Sequence, residues 1–296
     1  PINIQFTSGT TGSPKGATLS HHGIVNNANL TGHTMGISEN DVVCIPVPLY
    51  HCFGMVIGTL LSVVRGCTAV LPDEYFDPTS VLSAVEIERC TTLYGVPTMF
   101  IAMMGLENFN DYDIDSLRTG VMAGSPCPVE VMKQVIKEMH MDKITVAYGM
   151  TELSPVSNQS LMDDSFEIRV STVGVSHPHV EGKIVNEDNR VVPIGEIGEY
   201  CARGYSVMLG YWDDDEKTAE SIDAGGWMHT GDLATMDENG YVTVVGRSKD
   251  MVIRGGENIY PKEIEDLLYR HEKIADIQVI GVPDEKFGEE ICAWVK

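Results

Sequence analysis

The sequence predicts an α/β fold followed by a β-rich segment, and three observations support this prediction. Up to about residue 175, strand-like and helix-like segments alternate, which is typical of parallel strands joined by crossover helices. After residue 180 the chain changes to short β-like segments separated by turns, and from Pro261 a helix and one more strand follow. We expect a large N-terminal domain with mixed sheets and helices and a small β-rich subdomain, followed by the start of a small, mobile α+β C-terminal domain.

Local signals predict the elements of the first part. The apolar residues Ile2, Ile4 and Phe6 alternate as in a strand, and Ser20 suits the N-cap of a helix that runs to about Thr34. The longest apolar stretch, 55–64, is about half as long as a bilayer span requires, so it predicts a buried helix. Further strands are predicted at 42–47, 92–96 and 143–148, and further helices at 79–89 and 129–139.

Turn residues divide the second part of the chain. Turns are predicted at 187–190 and 237–240, with strands at 182–185, 198–202, 241–245 and 277–282. A boundary is expected at 246–250, and Pro261 suits the first turn of a helix. We place the large domain at residues 1–248, with its β-rich subdomain at about 180–248, and the start of the small domain at 249–296.

Composition narrows the classes of partner. The net charge is -23, from 43 acidic and 20 basic residues, so the surface would repel nucleic acids and anionic lipids. The seven cysteines are odd in number and never spaced as Cys-x-x-Cys, which favours reduced thiols. Both chain ends fall at strand-like apolar runs, so we expect a fragment truncated at both ends, in which no targeting segment is visible.

The segment from Thr7 to Gly16, with the sequence TSGTTGSPKG, constrains the chemistry most strongly. Its hydroxyls, the backbone N–H groups around its glycines and the cation of Lys15 suit a polyphosphate. A Walker A loop requires Gly-Lys followed by Ser or Thr, whereas here Pro14 precedes the lysine and Gly16 follows it. A flexible linker is the alternative, but a Pro-Lys-Gly ending after a strand-like run argues against it.

Further segments carry residues suited to a nucleotide site, although each one alone also has a purely structural explanation. Residues 50–54 place an aromatic and imidazole cluster before the apolar helix, and His51 alone is more often structural than catalytic. In 148–152 an aromatic residue can stack on a base, while a hydroxyl and a carboxylate can bind magnesium. The segment 230–232 predicts a tight turn with an acid suited to ribose hydroxyls, and 255–261 predicts a glycine turn that a ligand can approach closely.

With these segments in this order, the chain resembles the adenylate-forming superfamily of acyl-CoA synthetases, luciferases and peptide-synthetase adenylation domains. The resemblance runs from residue 7 to at least residue 282 and rests on specific motifs. Within the superfamily, 50–54 and 246–261 are most similar to mitochondrial medium-chain fatty acyl-CoA ligases. The resemblance implies ATP, Mg²⁺ and coenzyme A as ligands, a fatty acid as substrate and a location in the mitochondrial matrix.

The resemblance also implies roles for individual residues. The segment 7–15, here called the phosphate loop, would wrap the phosphates of ATP, Tyr148 would stack on adenine, and Asp232 would bind the ribose hydroxyls with the help of Arg247. The residues that would bind ATP or AMP are Thr7, Ser8, Gly9, Thr10, Thr11, Gly12, Ser13, Pro14, Lys15, Tyr148, Gly149, Thr151, Asp232 and Arg247. The catalytic residues would be Lys15, Thr151 and Glu152, and the metal would be held by Glu152 with Thr151. The acyl pocket would be lined by His51, Phe53, Gly124, Ser125 and Gly149.

The same resemblance places a hinge at Lys249 and an approach for coenzyme A at Gly255 and Gly256. The family also uses a lysine in a Gly-Lys-containing motif near the end of the small domain, and no such motif precedes Lys296. We therefore expect residues 1–296 alone to adenylate poorly.

Alternative functions stay open at this point. An amino acid substrate is disfavoured, because 50–54 lacks the acid that holds a substrate ammonium in peptide-synthetase domains. An aryl carboxylate or a luciferin-like substrate fits the same motifs. A non-catalytic nucleotide-binding relative would have no chemical need to keep Lys15, Glu152, Asp232 and Arg247 together, and a general kinase lacks an obvious base and acceptor arrangement.

Overall fold

The structure is a computed structural model that describes residues 1–7, 14–125, 127–254, 257–269, 271, 273–274, 276–284 and 287–296. The chain divides into two compact units, which we describe separately. The first comprises Pro1–Gly182 and Ala202–Met228, and the second comprises Lys183–Cys201 and His229–Lys296. The domain boundary at residue 248, inferred from the sequence, stays a prediction.

The strands of the described residues account for the change of pattern along the chain. In chain order they are β1 (Asn3–Thr7), β2 (Lys15–Leu19), β3 (Val42–Cys44), β4 (Thr68–Val70), β5 (Thr92–Gly95), β6 (Thr119–Met122), β7 (Lys143–Gly149), β8 (Val156–Gln159), β9 (Val175–Ser176), β10 (Val180–Val185), β11 (Gly198–Gly204), β12 (Gly210–Tyr211), β13 (Met228–Met236), β14 (Val242–Arg247), β15 (Val252–Arg254), β16 (Glu257–Ile259), β17 (Ile277–Asp284) and β18 (Gly288–Val295).

The helices begin where capping residues or prolines favour a start. The Ser20 hydroxyl accepts a hydrogen bond from the Gly23 N–H at 2.8 Å, as the sequence predicts for an N-cap. Pro97 and Pro261 each occupy the first position of their helices. The α-helices are α1 (His21–Thr34), α2 (Cys52–Gly54), α3 (Leu61–Arg65), α4 (Pro78–Glu88), α5 (Pro97–Met104), α6 (Val129–Glu138), α7 (Phe166–Ser171), α8 (Asp215–Ser221) and α9 (Pro261–Leu268); Met55–Leu60 is a π-helix, and Phe109–Asp111 and Thr151–Leu153 are 3₁₀ helices.

The first unit is built on a seven-stranded sheet of order β4-β3-β5-β6-β7-β8-β9. Its pairings from β4 through β7 are all parallel, and β8 and β9 add antiparallel strands. A parallel pair requires a crossover connection, which the helices α4, α5 and α6 provide. They bury one face against the sheet through a continuous apolar core that includes Val81, Leu82, Val85, Phe100, Met103, Val131, Met132 and Val135. A separate sheet of order β1-β2-β12 completes the strands of this unit.

Two four-stranded sheets lie largely in the second unit, with the orders β10-β11-β13-β14 and β16-β15-β18-β17. In the second of these, all three pairings are antiparallel. This sheet and α9 together form a small α+β arrangement. The fold class predicted from the sequence is therefore confirmed: mixed sheets and helices, then a β-rich portion, then a small α+β portion.

Several local expectations need correction. The strand predicted at 42–47 ends at Cys44, where the pairing with β5 ends. The predicted turn at 230–232 is wrong, because these residues lie inside β13, which pairs with β14 from Asp232 onward. The predicted buried helix at 55–64 changes from π to α geometry at Leu61, and its residue Val63 is 77% exposed.

No helix in the described part of the chain combines the length and the apolar character needed to cross a membrane. The seven cysteines are free in the structure.

Candidate functional site

The candidate residues of the first unit follow the carboxyl ends of its parallel strands. His51 lies in the loop that leaves β3, Gly124 and Ser125 follow β6, and Thr151 and Glu152 follow β7. Because these strands run in the same direction within one sheet, their carboxyl ends share one edge. Ligands of open α/β sheets bind at this edge. The fold therefore collects residues that are far apart in the sequence.

The segment 50–54 meets the segment 148–152 through a thiol. The Cys52 thiol forms a hydrogen bond with the Thr151 side chain, and its burial raises the pKa of Cys52 to about 11. Beside it, His51 Nδ1 accepts a hydrogen bond from the Phe53 N–H at 3.0 Å and caps α2. The thiol stays protonated at neutral pH, so it holds Thr151 as a neutral partner.

The predicted acyl-pocket residues differ in exposure. Phe53 is 5% exposed, and its ring lies 5.8 Å from the ring of Tyr94, centroid to centroid. His51, Ser125 and Gly149 are exposed in this unit. The structure thus places Phe53 in the core and the others on the surface of the same strand edge.

Two glycines of this edge are required by geometry. Gly124 has a φ of +85°, a conformation that favours glycine. At Gly149 a Cβ atom would lie 1.9 Å from the carbonyl oxygen of Pro155, so the space admits no side chain. Both glycines are therefore required by the protein's own backbone, Gly124 by its dihedral angle and Gly149 by the nearby carbonyl group of Pro155.

Glu152 is buried beside the end of β7. It is 5% exposed, and its Oε1 accepts a hydrogen bond from the Tyr211 hydroxyl at 2.7 Å. Its backbone carbonyl accepts a further bond from the Met208 N–H at 2.8 Å. Among the described residues, none donates a hydrogen bond to the second carboxylate oxygen, Oε2. One oxygen is thus fixed and the other is available.

Tyr211 links this carboxylate to Lys15. The Lys15 ammonium lies 5.0 Å from the centroid of the Tyr211 ring, within the range of a cation–π contact. The tyrosine is 8% exposed, and burial beside Glu152 raises the pKa of its hydroxyl above its usual range. The phenol therefore stays neutral and donates to Glu152 while its ring face meets the lysine.

Tyr211 was not predicted from the sequence, although it lies between Glu152 and Lys15 in this arrangement. Tyr211 belongs to the two-residue strand β12, which pairs with β2 opposite Ala17. That long-range pairing brings Tyr211 next to Lys15, and no local sequence pattern predicts the pairing. An aromatic residue in a Gly-Tyr-Trp run was the available signal, and it is also common in structural strands.

The phosphate loop connects the strands of a hairpin. Thr7 of β1 pairs with Lys15 of β2, so the loop begins and ends at two paired residues. The Thr7 hydroxyl lies 3.5 Å from the Lys15 carbonyl oxygen. The predicted loop residues 8–13 lie outside the described part of the chain.

The acid and hydroxyl next to β7 fit a magnesium ion in their chemistry. Mg²⁺ prefers oxygen ligands and is bound through one or two carboxylates with substrate phosphates. Glu152 offers Oε2, and Thr151 offers a hydroxyl in the same 3₁₀ turn, where both residues are buried. Both side chains therefore offer oxygen donors of the kind that Mg²⁺ accepts.

In the second unit, Asp232 and Arg247 form an ion pair across β13 and β14. Their Cα atoms are register partners, and Arg247 Nε lies 3.2 Å from Asp232 Oδ1. The Asp232 side chain is 12% exposed, whereas that of Arg247 is 63% exposed. Lys249 follows in an exposed turn, and the predicted residues Gly255 and Gly256 lie outside the described part of the chain.

Two family models match most of the chain. The model of the AMP-binding enzyme family matches residues 1–212, and the model of the AMP-binding enzyme C-terminal domain matches residues 263–296. The chain belongs to the AMP-binding enzyme family, as the adenylate-forming motifs predicted.

Particular relatives refine this assignment. The chain is 55% identical over its full length to YngI of Bacillus subtilis (strain 168), by its name a candidate acyl-CoA synthetase, and it covers 54% of that protein. It is 50% identical over its full length to the mitochondrial medium-chain acyl-CoA ligase ACSF2 of Danio rerio, of which it covers 49%. The chain thus spans about half the length of the curated relatives it matches.

Solved structures show the same fold. The anthranilate CoA ligase AuaEII, in complex with anthranoyl-AMP, superposes with a TM-score of 0.90 at 29% identity. ATP-bound MatB from Rhodopseudomonas palustris superposes with a TM-score of 0.89 at 31% identity. Each comparison covers 99% of this chain, and 56% and 57% of the respective structure.

Proposed function

We propose that the protein activates a medium-chain fatty acid with ATP and then transfers the acyl group to coenzyme A. In the first step a carboxylate oxygen attacks the α-phosphorus of ATP, the bond from that phosphorus to the bridging oxygen breaks, and pyrophosphate leaves. In the second step the thiol sulfur of coenzyme A attacks the acyl carbon, the thiol proton passes to solvent, and AMP leaves.

This proposal rests mainly on the arrangement of Lys15, Tyr211 and Glu152. The Lys15 cation, at the end of the phosphate loop, lies over the ring face of Tyr211, and the buried Glu152 carboxylate accepts a hydrogen bond from the hydroxyl of the same tyrosine. Triphosphate chemistry requires such opposite charges, since the lysine offsets phosphate charge and the carboxylate holds a metal. The membership in the AMP-binding enzyme family supports the same chemistry.

The residues of the first unit act by binding and orienting in this proposal. Lys15 and Thr7 hold the phosphates, and Tyr148 stacks on adenine from its half-buried position at the end of β7. Glu152 and Thr151 hold Mg²⁺, which when bound neutralises charge on the departing pyrophosphate. Tyr211 fixes the direction of the Glu152 carboxylate.

We assign the acyl substrate to the neighbourhood of Phe53, His51, Gly124, Ser125 and Gly149. The preference for a medium-chain acid is supported by the name of the vertebrate relatives, medium-chain acyl-CoA ligase ACSF2. The likeness to the anthranilate CoA ligase AuaEII favours an aryl acid as the second candidate.

The remaining roles are proposals of the same kind. Asp232 and Arg247 would bind the ribose hydroxyls, Lys249 would act as a hinge, and Gly255 and Gly256 would face coenzyme A. A location in the mitochondrial matrix is supported by the names of the vertebrate relatives, whereas YngI, at higher identity, comes from a bacterium.

A panel of acids tests the substrate class. The protein in its natural full length is incubated with ATP, Mg²⁺ and coenzyme A and with butyrate, octanoate, palmitate, benzoate or an amino acid, and acyl-CoA is quantified by mass spectrometry. We expect the highest kcat/KM with octanoate. A preference for benzoate would favour the aryl alternative, and no product with any acid, despite ATP binding, would contradict the proposed ligase activity.

A further inference from the structure

Three metal-ligating side chains of the second unit meet outside the residues assigned above. Glu199 and Cys201 stand two residues apart on β11, so they share one face of the strand. His229 stands on β13, the neighbour of β11 in the sheet. Each residue offers one ligand atom: a carboxylate oxygen, the sulfur and a ring nitrogen. These three atoms lie within 4.8 Å of one another.

The distances match those around a tetrahedral zinc ion. Zinc binds sulfur at about 2.3 Å and imidazole nitrogen at about 2.0–2.1 Å, which at a tetrahedral angle separates the two ligand atoms by about 3.6 Å. The structure places Cys201 Sγ 3.5 Å from His229 Nδ1. His229 Nδ1 also lies 2.8 Å from Glu199 Oε2. When both are bound to zinc, the carboxylate oxygen and the imidazole nitrogen lie about 3.3 Å apart. Glu199 Oε2 would therefore need to move away from His229 Nδ1 by only about half an ångström.

The backbone already orients the carboxylate. The Gly231 N–H donates a hydrogen bond to Glu199 Oε1 at 2.9 Å, which leaves Oε2 directed at the histidine. The Thr230 hydroxyl donates to the Tyr200 carbonyl at 2.7 Å and ties the two strands together next to the cluster. The strands thus fix the three side chains before any ion arrives, as outer-shell partners do in metal sites.

The cluster is also accessible to an ion. Cys201 is fully buried, but the side chains of Glu199 and His229 are 28% and 22% exposed. An ion can therefore enter from the side of the carboxylate and imidazole and bind the sulfur on the inner side. Three protein ligands leave the fourth position to water.

We propose that Glu199, Cys201 and His229 form a binding site for Zn²⁺ or a divalent transition metal of similar ligand preference. The thiolate, imidazole and carboxylate set suits zinc and is too soft for magnesium. Binding replaces the thiol proton, which passes to solvent, and takes the lone pair of a neutral Nδ1. This inference is independent of the proposed ligase activity, which uses none of these three side chains.

The site would connect metal binding to the neighbouring β13 segment. His229 directly precedes Thr230, Gly231 and Asp232, and Gly231 donates to the same carboxylate that would bind the metal. Because a metal that binds only the folded state stabilises it, zinc at a hundredfold excess over its Kd would raise the free energy of unfolding by about 2.7 kcal/mol.

Cobalt substitution tests the site directly. The reduced protein in its natural full length, freed of metal with a chelator, is titrated with Co²⁺ and followed by absorption. We expect one thiolate-to-cobalt charge-transfer band in the near ultraviolet and the visible bands of tetrahedral Co²⁺, both saturating at one ion per chain. Zn²⁺ added afterwards should abolish both sets of bands.

Variants separate the proposed site from other thiols and imidazoles. Cys201→Ser should remove the charge-transfer band, and Glu199→Gln, which keeps an acceptor for Gly231, should weaken cobalt binding at least tenfold with the fold intact by circular dichroism. Cys67→Ser and His21→Gln are the matched controls, and both should leave the charge-transfer band and the affinity for cobalt unchanged. No charge-transfer band in the wild type, or a band that survives Cys201→Ser, would overturn the proposal and leave a hydrogen-bonded Glu199–His229 pair.

Discussion

Two buried carboxylates, Glu152 of the first unit and Asp232 of the second, have partners of opposite kinds. Glu152 accepts a hydrogen bond from the neutral phenol of Tyr211, which is itself 8% exposed. Asp232 pairs with the guanidinium of Arg247, whose side chain is 63% exposed. A phenol stabilises a carboxylate without neutralising its charge, whereas an exposed guanidinium supplies a charge that solvent screens.

This difference indicates where a cation is required. A buried carboxylate without a charged partner is costly, and a bound cation relieves that cost. Glu152 therefore suits a metal, while Asp232 already has a cation beside it. The two acids look equivalent in the sequence, where each follows a threonine or a glycine, and their environments assign them different tasks.

We expect the strongest loss of activity from a substitution at Glu152. Glu152→Gln keeps the size of the side chain and an acceptor for Tyr211 but removes the charge, so ATP–pyrophosphate exchange should fall by about a hundredfold or more. Glu138→Gln, on the exposed end of α6, is the matched control and should leave the rate unchanged. If Glu152→Gln retained more than about a third of the wild-type rate, Glu152 would not be needed to bind the metal, and the proposed difference between Glu152 and Asp232 would be wrong.

The next effect concerns another buried polar residue of the first unit, His177. Its Nε2 lies 2.9 Å from Gln159 Oε1, and burial lowers the pKa of its imidazole to about 4. In the unfolded chain the pKa is about 6.5. Between these values the unfolded state binds a proton that the folded state does not, so stability falls as the pH falls.

This linkage predicts that the free energy of unfolding drops by roughly 2 kcal/mol between pH 6.5 and pH 5, with a slope that stays below the one-proton limit of about 1.4 kcal/mol per pH unit. Urea unfolding at several pH values measures it. His177→Gln should remove most of this slope, while His21→Gln, at an exposed position, should keep it. An equal slope in His177→Gln would mean that other groups carry the dependence.

Tyr211→Phe should have a smaller effect. It removes the hydrogen bond to Glu152 but keeps the ring under Lys15, so the exchange rate should fall by about tenfold. The loss should appear mainly as a raised apparent KM for Mg²⁺, because the carboxylate is still present but less well oriented. Tyr75→Phe, where the tyrosine is 78% exposed, serves as the control, and an unchanged Mg²⁺ dependence in Tyr211→Phe would contradict its proposed positioning role.

The smallest effect is expected at the exposed ion pair. Arg247→Gln should lower the free energy of unfolding by less than about 1 kcal/mol, since solvent screens the guanidinium. The exposed Arg190, changed to Gln, is the reference for losing a surface arginine. A loss above about 2 kcal/mol in Arg247→Gln would show that the pair behaves as a buried one and would remove the contrast with Glu152.

Much of this fold follows from local sequence signals. The N-cap at Ser20, the prolines that begin α5 and α9, and the alternation of strands and helices each act within a few residues. Such signals predict the existence of an element better than its ends, as the shortened strand β3 shows. The parallel order of the large sheet follows from the crossover helices, so the shared strand edge was predictable as well.

What the sequence did not show depends on long-range contacts. Tyr211 meets Glu152 because β12 pairs with β2, which is about 190 residues away in the chain. The segment 230–232 contains a glycine and looks like a turn, but it lies inside β13, where Asp232 pairs with Arg247 of β14 and Gly231 has a φ of +72°. The Glu199, Cys201 and His229 cluster likewise requires β11 and β13 to be neighbours, and no spacing motif marks it.

An isotope experiment shows whether a carboxylate oxygen bonds to the α-phosphorus of ATP. The full-length protein is given octanoate labelled with ¹⁸O in both carboxylate oxygens, with ATP, Mg²⁺ and coenzyme A, and the products are analysed by mass spectrometry. We expect one ¹⁸O in AMP for each octanoyl-CoA formed, because the oxygen that bridges the acyl carbon and the phosphorus leaves with AMP. Label in phosphate or pyrophosphate, or unlabelled AMP beside octanoyl-CoA, would contradict it.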